Sequence, residues 1–188
     1  LLEIVSVTGS IYGNYLTELN ISNCPNLLEL YCHGNQISEL DLSSNTNLTH
    51  LSCNSNLLTN LDVSENILLQ SLNCGYNSLN ELDVSQNTQL TYLGCSVNDF
   101  TTLDISNNTS ITHLYASSSN LLCIQVWDVF YASANGAFYV SQNTIFSLAC
   151  GNEILEGCGD LNACNYNPQA LIDDGSCLLN DECGVCGG

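Results

Sequence analysis

Lysine and arginine are missing from the whole chain, which has 188 residues, 19 aspartate and glutamate residues and a formal net charge of -19. A protein of this length ordinarily carries roughly twenty Lys and Arg residues. Their absence excludes Lys and Arg salt bridges within the chain and leaves no site for a protease that requires these residues. It also excludes nucleic acid and anionic membranes as partners, because both are bound through basic side chains. Metal cations, basic proteins and uncharged ligands such as glycans are the remaining partner classes.

Long apolar segments and catalytic motifs are missing too. No stretch reaches the eighteen or more apolar residues of a membrane-spanning helix. There is no phosphate-binding loop or HExxH motif, and His33, His50 and His113 are scattered along the chain. We therefore expect neither a membrane span nor an enzyme. No signal peptide is visible and the chain begins at Leu1, which indicates a mature or truncated segment whose targeting information has been removed.

A 21-residue repeat accounts for most of what the sequence does contain. The stretch "LDVSENILLQSLNCGYNSLNE" (61–81) is followed by "LDVSQNTQLTYLGCSVNDFTT" (82–102), which matches it at Leu, Asp, Val, Ser, Asn, Leu, Leu, Cys and Asn. The alignment covers five units, residues 19–123, and an upstream half-unit within residues 1–18 falls in register as a degenerate cap. One column contains Leu19, Leu40, Leu61, Leu82 and Leu103.

Stacked coils are the structure that this period predicts. A 21-residue unit must turn back on itself, and it buries its apolar residues only against neighbouring units. Apolar and polar residues alternate around Leu51 and Cys53, and again around Leu61 and Val63, as they do in half-buried strands. We expect an all-β-rich solenoid with two short strands per coil and almost no helix.

Asparagine recurs at both predicted turns of the coil. Asn side chains suit turns because they bond neighbouring backbone groups and tolerate left-handed conformations. The first column is Asn35, Asn56, Asn77 and Asn98, and the second is Asn45, Asn66, Asn87 and Asn108.

The consensus LxxLxCxxNxLxxLDVSxNTxL resembles a leucine-rich repeat. After residue 121 the period is lost. CIQV, an aromatic-containing middle and a closing cysteine follow. We expect residues 124–157 to form a lid over the last coil, which would otherwise expose an apolar end and free strand edges. This segment, together with LDVSxNTxLTxLxC repeats, is similar to secreted leucine-rich-repeat proteins of the Bacteroidetes type. The resemblance covers residues 16–150 and implies export to the cell surface or medium by a type IX-like route. It also implies a disulfide between Cys123 and Cys150.

Residues 158–188 form a separate cysteine-rich acidic region. Its pieces CNYNP, DDGSC and CGVCGG are similar to a short module of secreted marine bacterial proteins. Asp160, Asn162, Asp173 and Asp174 offer the oxygen ligands that calcium prefers, although their spacing matches no EF-hand. A disulfide-stapled linker and a zinc half-site at CGVC are the alternatives. Its five cysteines cannot all pair among themselves. We expect no required cofactor, with Ca²⁺ as the candidate ion.

Four further cysteines, Cys32, Cys53, Cys74 and Cys95, share one inward column of the repeat. Neighbouring strands lie about 4.8 Å apart, but side chains in such a ladder point the same way, which is not the crossed geometry that a disulfide prefers. We expect buried, reduced thiols that act as small hydrophobic side chains. The functional alternative is a soft-metal or redox ladder.

The outward positions of the cysteine-bearing strand carry the candidate binding residues. This column set is almost uncharged and mixes aromatic, hydroxyl and amide groups, which bind protein or glycan by stacking and hydrogen bonding. An ordinary solvated face is the alternative. The candidates are Tyr31, His50, Tyr92, His113 and Tyr115.

On the other strand, one aspartate per coil forms a column, Asp41, Asp62, Asp83 and Asp104, and a serine follows each of them two residues later. Two charges about 4.8 Å apart repel by roughly 1 kcal/mol even in water. Either serine and turn N–H donors stabilise these carboxylates or divalent cations bridge adjacent coils. Dominant repulsion would raise the folded-state pKa of Asp62 and Asp83, and the serine hydrogen bonds would oppose that rise.

These features predict an extracellular, non-catalytic protein for adhesion or for binding a protein or glycan ligand. The alternative is a structural subunit of an extracellular filament or surface layer that binds copies of itself through solenoid ends and strand edges.

Overall fold

The structure is a computed structural model. It divides into two compact units, Leu1–Ala149 and Cys150–Gly188, so the predicted lid spans their boundary. The residues that it describes are 3–8, 15–118, 120–150, 156–158, 160, 162–166, 172–173 and 175–179.

The first unit is a β-solenoid of about seven turns. Its short elements follow the repeat, and its secondary structure is β1 (Ile4–Ser6), β2 (Glu29–Tyr31), β3 (His50–Ser52), β4 (Ser71–Asn73), β5 (Tyr92–Gly94), β6 (Thr102–Asp104), β7 (His113–Ala116), β8 (Cys123–Gln125), α1 (Val129–Ala134), β9 (Phe138–Val140) and β10 (Ile145–Ser147). None of the helical segments in the described part of the chain has the length and apolar character needed to cross a membrane.

One strand from each coil joins a seven-stranded parallel sheet in the order β1-β2-β3-β4-β5-β7-β9. Leu30, Leu51, Leu72 and Leu93 stand opposite one another in β2 to β5, at the repeat's own step. Each of these leucines is buried, and in β2, β3 and β4 its two strand neighbours are partly exposed. The alternation that predicted a half-buried strand therefore also sets which side chains reach solvent.

Among the described residues, the second predicted strand is paired near the C-terminal end of the solenoid and not in the earlier coils. There β6, β8 and β10 form a three-stranded parallel sheet. Earlier coils are linked by isolated backbone bonds just after the first turn, such as Leu57 N to Ile37 O at 2.9 Å. The β6 coil has Thr101 and Thr102 where the preceding coil has Asn80 and Glu81. The β-branched threonines favour a pleated strand, and Asn and Glu do not.

Buried asparagines connect consecutive coils at the first turn. Asn56 Nδ2 donates to Cys32 O and Cys53 O, both at 3.0 Å, and its Oδ1 accepts from Ile37 N at 3.1 Å. At this turn the left-handed backbone falls on the residue before each asparagine. Those residues are Gly34 (φ 71°), Ser55 (φ 57°), Tyr76 (φ 55°) and Val97 (φ 56°).

The second asparagine column uses its donors in a different way. Asn66 Nδ2 donates to Leu42 O at 3.2 Å and to Asn45 O at 2.9 Å, and so holds the turn of the preceding coil. The buried Oδ1 atoms of this column have no hydrogen-bond partner; they belong to Asn45, Asn66, Asn87 and Asn108. Each amide therefore stabilises two carbonyl groups and leaves its own acceptor unsatisfied.

Beyond residue 121 the chain continues the solenoid in longer coils. Leu114 of β7 pairs with Phe138 of β9, a step of 24 residues. The added length is helix α1, whose N-cap Asp128 accepts a hydrogen bond from Tyr131 N at 3.0 Å. The segment predicted as a lid thus supplies another strand to each sheet.

The second unit contains a two-stranded parallel sheet of β11 (Glu156–Gly157) and β12 (Ile172–Asp173). A disulfide joins Cys158 to Cys177. Asn165 bridges the unit, because its Nδ2 donates to Ser176 O and its Oδ1 accepts from Leu178 N, both at 2.7 Å. Cys164 is also disulfide-bonded. The CGVC segment, proposed above as a zinc half-site, lies outside the described residues.

Candidate binding face

The outward side of the seven-stranded sheet carries all five residues that the sequence nominated for binding. Tyr92 on β5 stands opposite His113 on β7, with Tyr115 two residues further along the same strand. The structure brings these three together on adjacent strands. Tyr31 on β2 and His50 on β3 lie at the other half of the sheet.

Three tyrosines form a row of rings across β5, β7 and β9, and we call Tyr92, Tyr115 and Tyr139 the tyrosine row. The ring centroids of Tyr92 and Tyr115 are 5.6 Å apart with a 39° tilt. Those of Tyr115 and Tyr139 are 4.8 Å apart and nearly parallel, at 11°. Tyr115 is 37% exposed and Tyr139 is 51% exposed, so the row remains open to solvent. Burial raises the pKa of Tyr92.

Gly94 allows the row to reach Tyr92. In the repeat alignment Gly94, rather than Tyr92, shares a column with Tyr115. A Cβ atom at Gly94 would lie 3.2 Å from the Tyr92 hydroxyl oxygen and 3.0 Å from Asn73 Oδ1. The Tyr92 side chain therefore lies over the space that a side chain at position 94 would occupy.

A neighbouring threonine hydroxyl selects one tautomer of the neutral ring of His113 and of His50. Thr112 Oγ1 donates its single proton to Thr91 O at 3.1 Å, and it lies 3.0 Å from His113 Nδ1. Because the threonine proton is already used, His113 Nδ1 carries the hydrogen and donates. Nε2 of neutral His113 is then an acceptor. Thr49 and His50 repeat the arrangement at 2.9 Å.

His33 and Ser52 are the one described Ser–His contact, at 3.2 Å. Ser52 Oγ donates to Asn54 Oδ1 at 2.9 Å, so His33 Nδ1 is the donor in the contact with Ser52. A nucleophilic serine must instead give its proton to the histidine. This pair has the opposite hydrogen-bond direction.

Charge divides the face into two halves. On β2, the Tyr31 hydroxyl donates to Glu29 Oε2 at 2.8 Å, and this carboxylate raises the pKa of Tyr31. Asp and Glu are absent from the stretches of the sheet that begin with β4 and continue to β9, namely 71–75, 92–96, 113–117 and 138–141. The half of the face that contains the tyrosine row is therefore uncharged while its histidine is neutral.

The acidic columns lie on the opposite side of each coil. Asp62 Oδ1 accepts from Ser64 N at 2.9 Å, and Asp41 Oδ1 accepts from the backbone N of Ser43 at 3.0 Å and from its Oγ at 2.7 Å. Serine hydrogen bonds lower the pKa of each carboxylate that shows a shift, namely Asp41, Asp62 and Asp83. The rise in pKa expected from dominant repulsion is wrong, because these donors outweigh the charge of the neighbouring coil.

The calcium candidates of the tail are only partly described. Asp160 Oδ1 accepts from Asn162 N at 2.9 Å and from Asn162 Nδ2 at 3.1 Å, which closes a local turn. Asp173 lies in β12, and Asp174 lies outside the described residues, as does the side chain of Asp173. Within the described part of the chain, no group of three or more His, Cys, Asp and Glu side chains is arranged to hold a metal ion.

The inward cysteine column is a ladder of buried free thiols, Cys32, Cys53, Cys74 and Cys95. Burial raises the pKa of Cys32 and Cys74 to about 12, so both stay protonated at neutral pH. A protonated thiol is neither a nucleophile nor a metal ligand. Cys24 is also free and is half-buried, whereas Cys123 and Cys150 are each disulfide-bonded.

Sequence reasoning missed Tyr139, which is the most exposed ring of the row. The 21-residue alignment ends before it, and α1 moves β9 to a step of 24 residues. The signal that could have found it is the alternating stretch Phe138–Val140, which repeats the strand pattern at a longer interval.

Solved structures similar to this chain are leucine-rich-repeat proteins. One is described as the functional domain of InlJ from Listeria monocytogenes, which includes a cysteine ladder; it is 27% identical with a TM-score of 0.53, and the match covers 76% of this chain and 40% of that one. Another is the Leptospira interrogans leucine-rich-repeat protein LIC12759, 22% identical with a TM-score of 0.53, with 71% and 36% covered.

This chain therefore spans less than half the length of both structures. Comparison with protein-family models and with curated protein sequences found no match. The two likenesses and the 21-residue register identify the first unit as a leucine-rich-repeat solenoid.

Proposed function

We propose that the solenoid is a non-catalytic binding module that takes a protein or glycan ligand on the outward side of its seven-stranded sheet. The observation that carries this proposal is that the two sides of the coils carry different side chains, aromatic on one side and acidic on the other. The aromatic rings of the tyrosine row and the imidazole of His113 lie on the sheet side, and the carboxylates of the Asp column lie on the other. Tyr is enriched at protein recognition surfaces because it offers contact area and a hydrogen-bonding hydroxyl at low entropic cost.

An extracellular place of action, in adhesion or ligand capture, is the second part of the proposal. The Cys158–Cys177 disulfide supports it, because such bonds persist in oxidising compartments. The absence of Lys and Arg supports it as well, since extracellular proteases that require those residues find no site. Export by a type IX-like route rests on the Bacteroidetes-type resemblance of the repeats.

The test is a scan of both sides of the solenoid against a panel of extracellular proteins and polysaccharides. The purified chain is compared with Tyr115→Ser on the sheet side and with Asp83→Asn on the acidic side. We expect Tyr115→Ser to weaken binding and Asp83→Asn to leave it unchanged, as measured by biolayer interferometry. Loss of binding in Asp83→Asn alone would place the ligand on the wrong side and refute the proposal.

A structural subunit that stacks end to end is the second candidate function. The observation in its favour is that β1 and β9 stand at the two ends of one parallel sheet. The β9 edge of one copy and the β1 edge of the next could pair in the same direction, which makes an open, head-to-tail contact. Negative-stain microscopy of the purified chain distinguishes the two functions, because fibres support stacking and dispersed particles contradict it.

A further inference from the structure

We propose that the tyrosine row and His113 form a binding site for an extended, uncharged glycan chain. The inference rests on the proposed function and adds the class of ligand and the half of the sheet face that takes it. It excludes the half around Tyr31, although that tyrosine was nominated from the sequence with the others.

The spacing of the rings is the first argument. Consecutive coils place the ring centroids 5.6 and 4.8 Å apart, so the row offers one aromatic contact per coil. That repeat is comparable with the length of one pyranose unit in an extended β-linked polysaccharide. Because the nearly parallel rings of Tyr115 and Tyr139 stack against each other, the row presents ring edges and hydroxyl groups to a ligand. A polymer in register with the coils would contact Tyr92, Tyr115 and Tyr139 in turn through these groups.

Hydrogen bonding is the second argument. The alternating donors and acceptors of a polyhydroxylated chain are matched by phenolic hydroxyls, which both donate and accept, and by an imidazole acceptor. His113 stands opposite Tyr92, and its Nδ1–H is committed to Thr112, which leaves Nε2 as the acceptor. The arrangement supplies both kinds of partner along one line.

Charge is the third argument, because it selects an uncharged glycan over ionised ligands. A chain with a net charge of -19 repels sulfated or uronic polysaccharides. A basic peptide would be drawn to the Asp column on the opposite side of the coil, where carboxylates are concentrated. The strands β4, β5, β7 and β9 carry no carboxylate, so this half of the face has no acidic side chain to pair with a positively charged ligand.

Tyr31 does not share these properties. Its hydroxyl is held by Glu29, and the residues opposite it on the next two strands are Ser52 and Asn73, so neither of those strands places a ring opposite it. Tyr31 is thus a matched control, being a tyrosine on the same face and in the same column as Tyr115.

The experiment is calorimetric titration of the full chain with β-1,4-linked gluco- and manno-oligosaccharides, from disaccharide to hexasaccharide, with polygalacturonate as the ionised probe. We expect affinity to rise with length until all three rings are covered, and no heat with polygalacturonate. Tyr115→Ser and Tyr139→Ser should each weaken hexasaccharide binding roughly tenfold. Tyr31→Ser should bind as the parent does. Gly94→Ala, which displaces Tyr92 without removing a ring, should weaken binding as well.

The outcomes separate this inference from the proposed function. Oligosaccharide binding that survives Tyr115→Ser and Tyr139→Ser, or that is lost in Tyr31→Ser, overturns the assignment to the tyrosine row. If the panel's proteins bind through the sheet side and no neutral oligosaccharide does, the glycan site is wrong and the binding function stands. If no probe of either kind binds, both are wrong. Thermal melts of every variant establish that each one is folded.

Discussion

At the scale of single residues, the turn before each first-column asparagine shows how the repeat tolerates an unfavourable backbone. Four residues adopt positive φ there, and Gly34 is the one that does so without steric cost. Val97, with φ 56°, is β-branched, and left-handed backbone costs an L-residue about 1–2 kcal/mol. The turn tolerates this cost because the next residue, Asn98, donates its Nδ2 to Cys74 O and Cys95 O and so holds the turn in place.

Val97→Gly should therefore stabilise the solenoid. We expect the free energy of unfolding to rise by about 1 kcal/mol, because relief of strain exceeds the extra entropy that glycine loses on folding. Val97 is 47% exposed, so little apolar packing is lost. Urea unfolding measures the change, and Ser55→Gly, at φ 57°, is the matched control with a smaller gain. A destabilised Val97→Gly would show that the turn is not strained.

Leu72 and Asn73 are neighbours in β4 whose side chains point to opposite sides of the sheet, so their substitutions should differ in effect. Leu72 is fully buried, and Leu72→Ala should lower the free energy of unfolding by about 2–5 kcal/mol. Asn73 faces outward beside it, and Asn73→Ala should cost much less. Equal effects of the two substitutions in thermal melts would contradict the assignment of the faces.

At the scale of elements, the second asparagine column makes each turn depend on the next coil. Asn87 Nδ2 donates to Val63 O and to Asn66 O, both at 2.9 Å. Asn87→Ala removes both bonds, while each carbonyl keeps a backbone donor, Asn66 N or Leu69 N. At about 0.5–1.5 kcal/mol for each lost hydrogen bond, the free energy of unfolding should fall by about 1–3 kcal/mol. Asn47→Ala, which removes one exposed bond to Pro25 O, is the control and should be nearly neutral. Equal losses in urea unfolding would mean that the buried amides add nothing.

How far the elements could be predicted follows from the strength of the repeat. The sheet strand of each coil is marked by a buried leucine between outward residues, so its position and its outward residues follow from the alignment. The second strand depends on finer differences, such as Thr102 in place of Glu81. Helix α1 was not predicted, because six residues carry too little periodicity to distinguish a helical turn from a loop. Tyr139 was missed for the same reason, since α1 shifts it out of register.

The hydrogen-bond networks of the site could not be predicted from the sequence. The alignment places Tyr31 and Tyr115 in one column, but their different surroundings depend on Glu29 at one end and on β9 at the other. The direction of the aspartate pKa shift also depended on geometry. Charge spacing alone favours a rise in the pKa of Asp62, whereas the hydrogen bond from Ser64 N lowers it.

At the scale of the whole molecule, the aspartate column should make stability depend on pH. Serine donors hold the folded-state pKa of Asp62 below its unfolded value, so its contribution is present above the ordinary Asp pKa of about 3.9 and is lost as the pH falls through the folded value. Thermal melts of the parent and Asp62→Ala between neutral pH and pH 3 isolate this contribution from the overall charge. We expect the difference in melting temperature between the two to shrink in acid; a difference that grows would reverse the sign.

The buried thiols of the ladder can be used to detect local unfolding of single coils. Each rung belongs to a different coil and is fully covered, so an alkylating reagent can reach Cys32, Cys53, Cys74 or Cys95 only when that coil opens. In a stack held by nearest-neighbour contacts, coils near an end open more often than coils with several neighbours on both sides. Pulse labelling followed by mass mapping would therefore read fraying coil by coil, with no probe introduced into the chain.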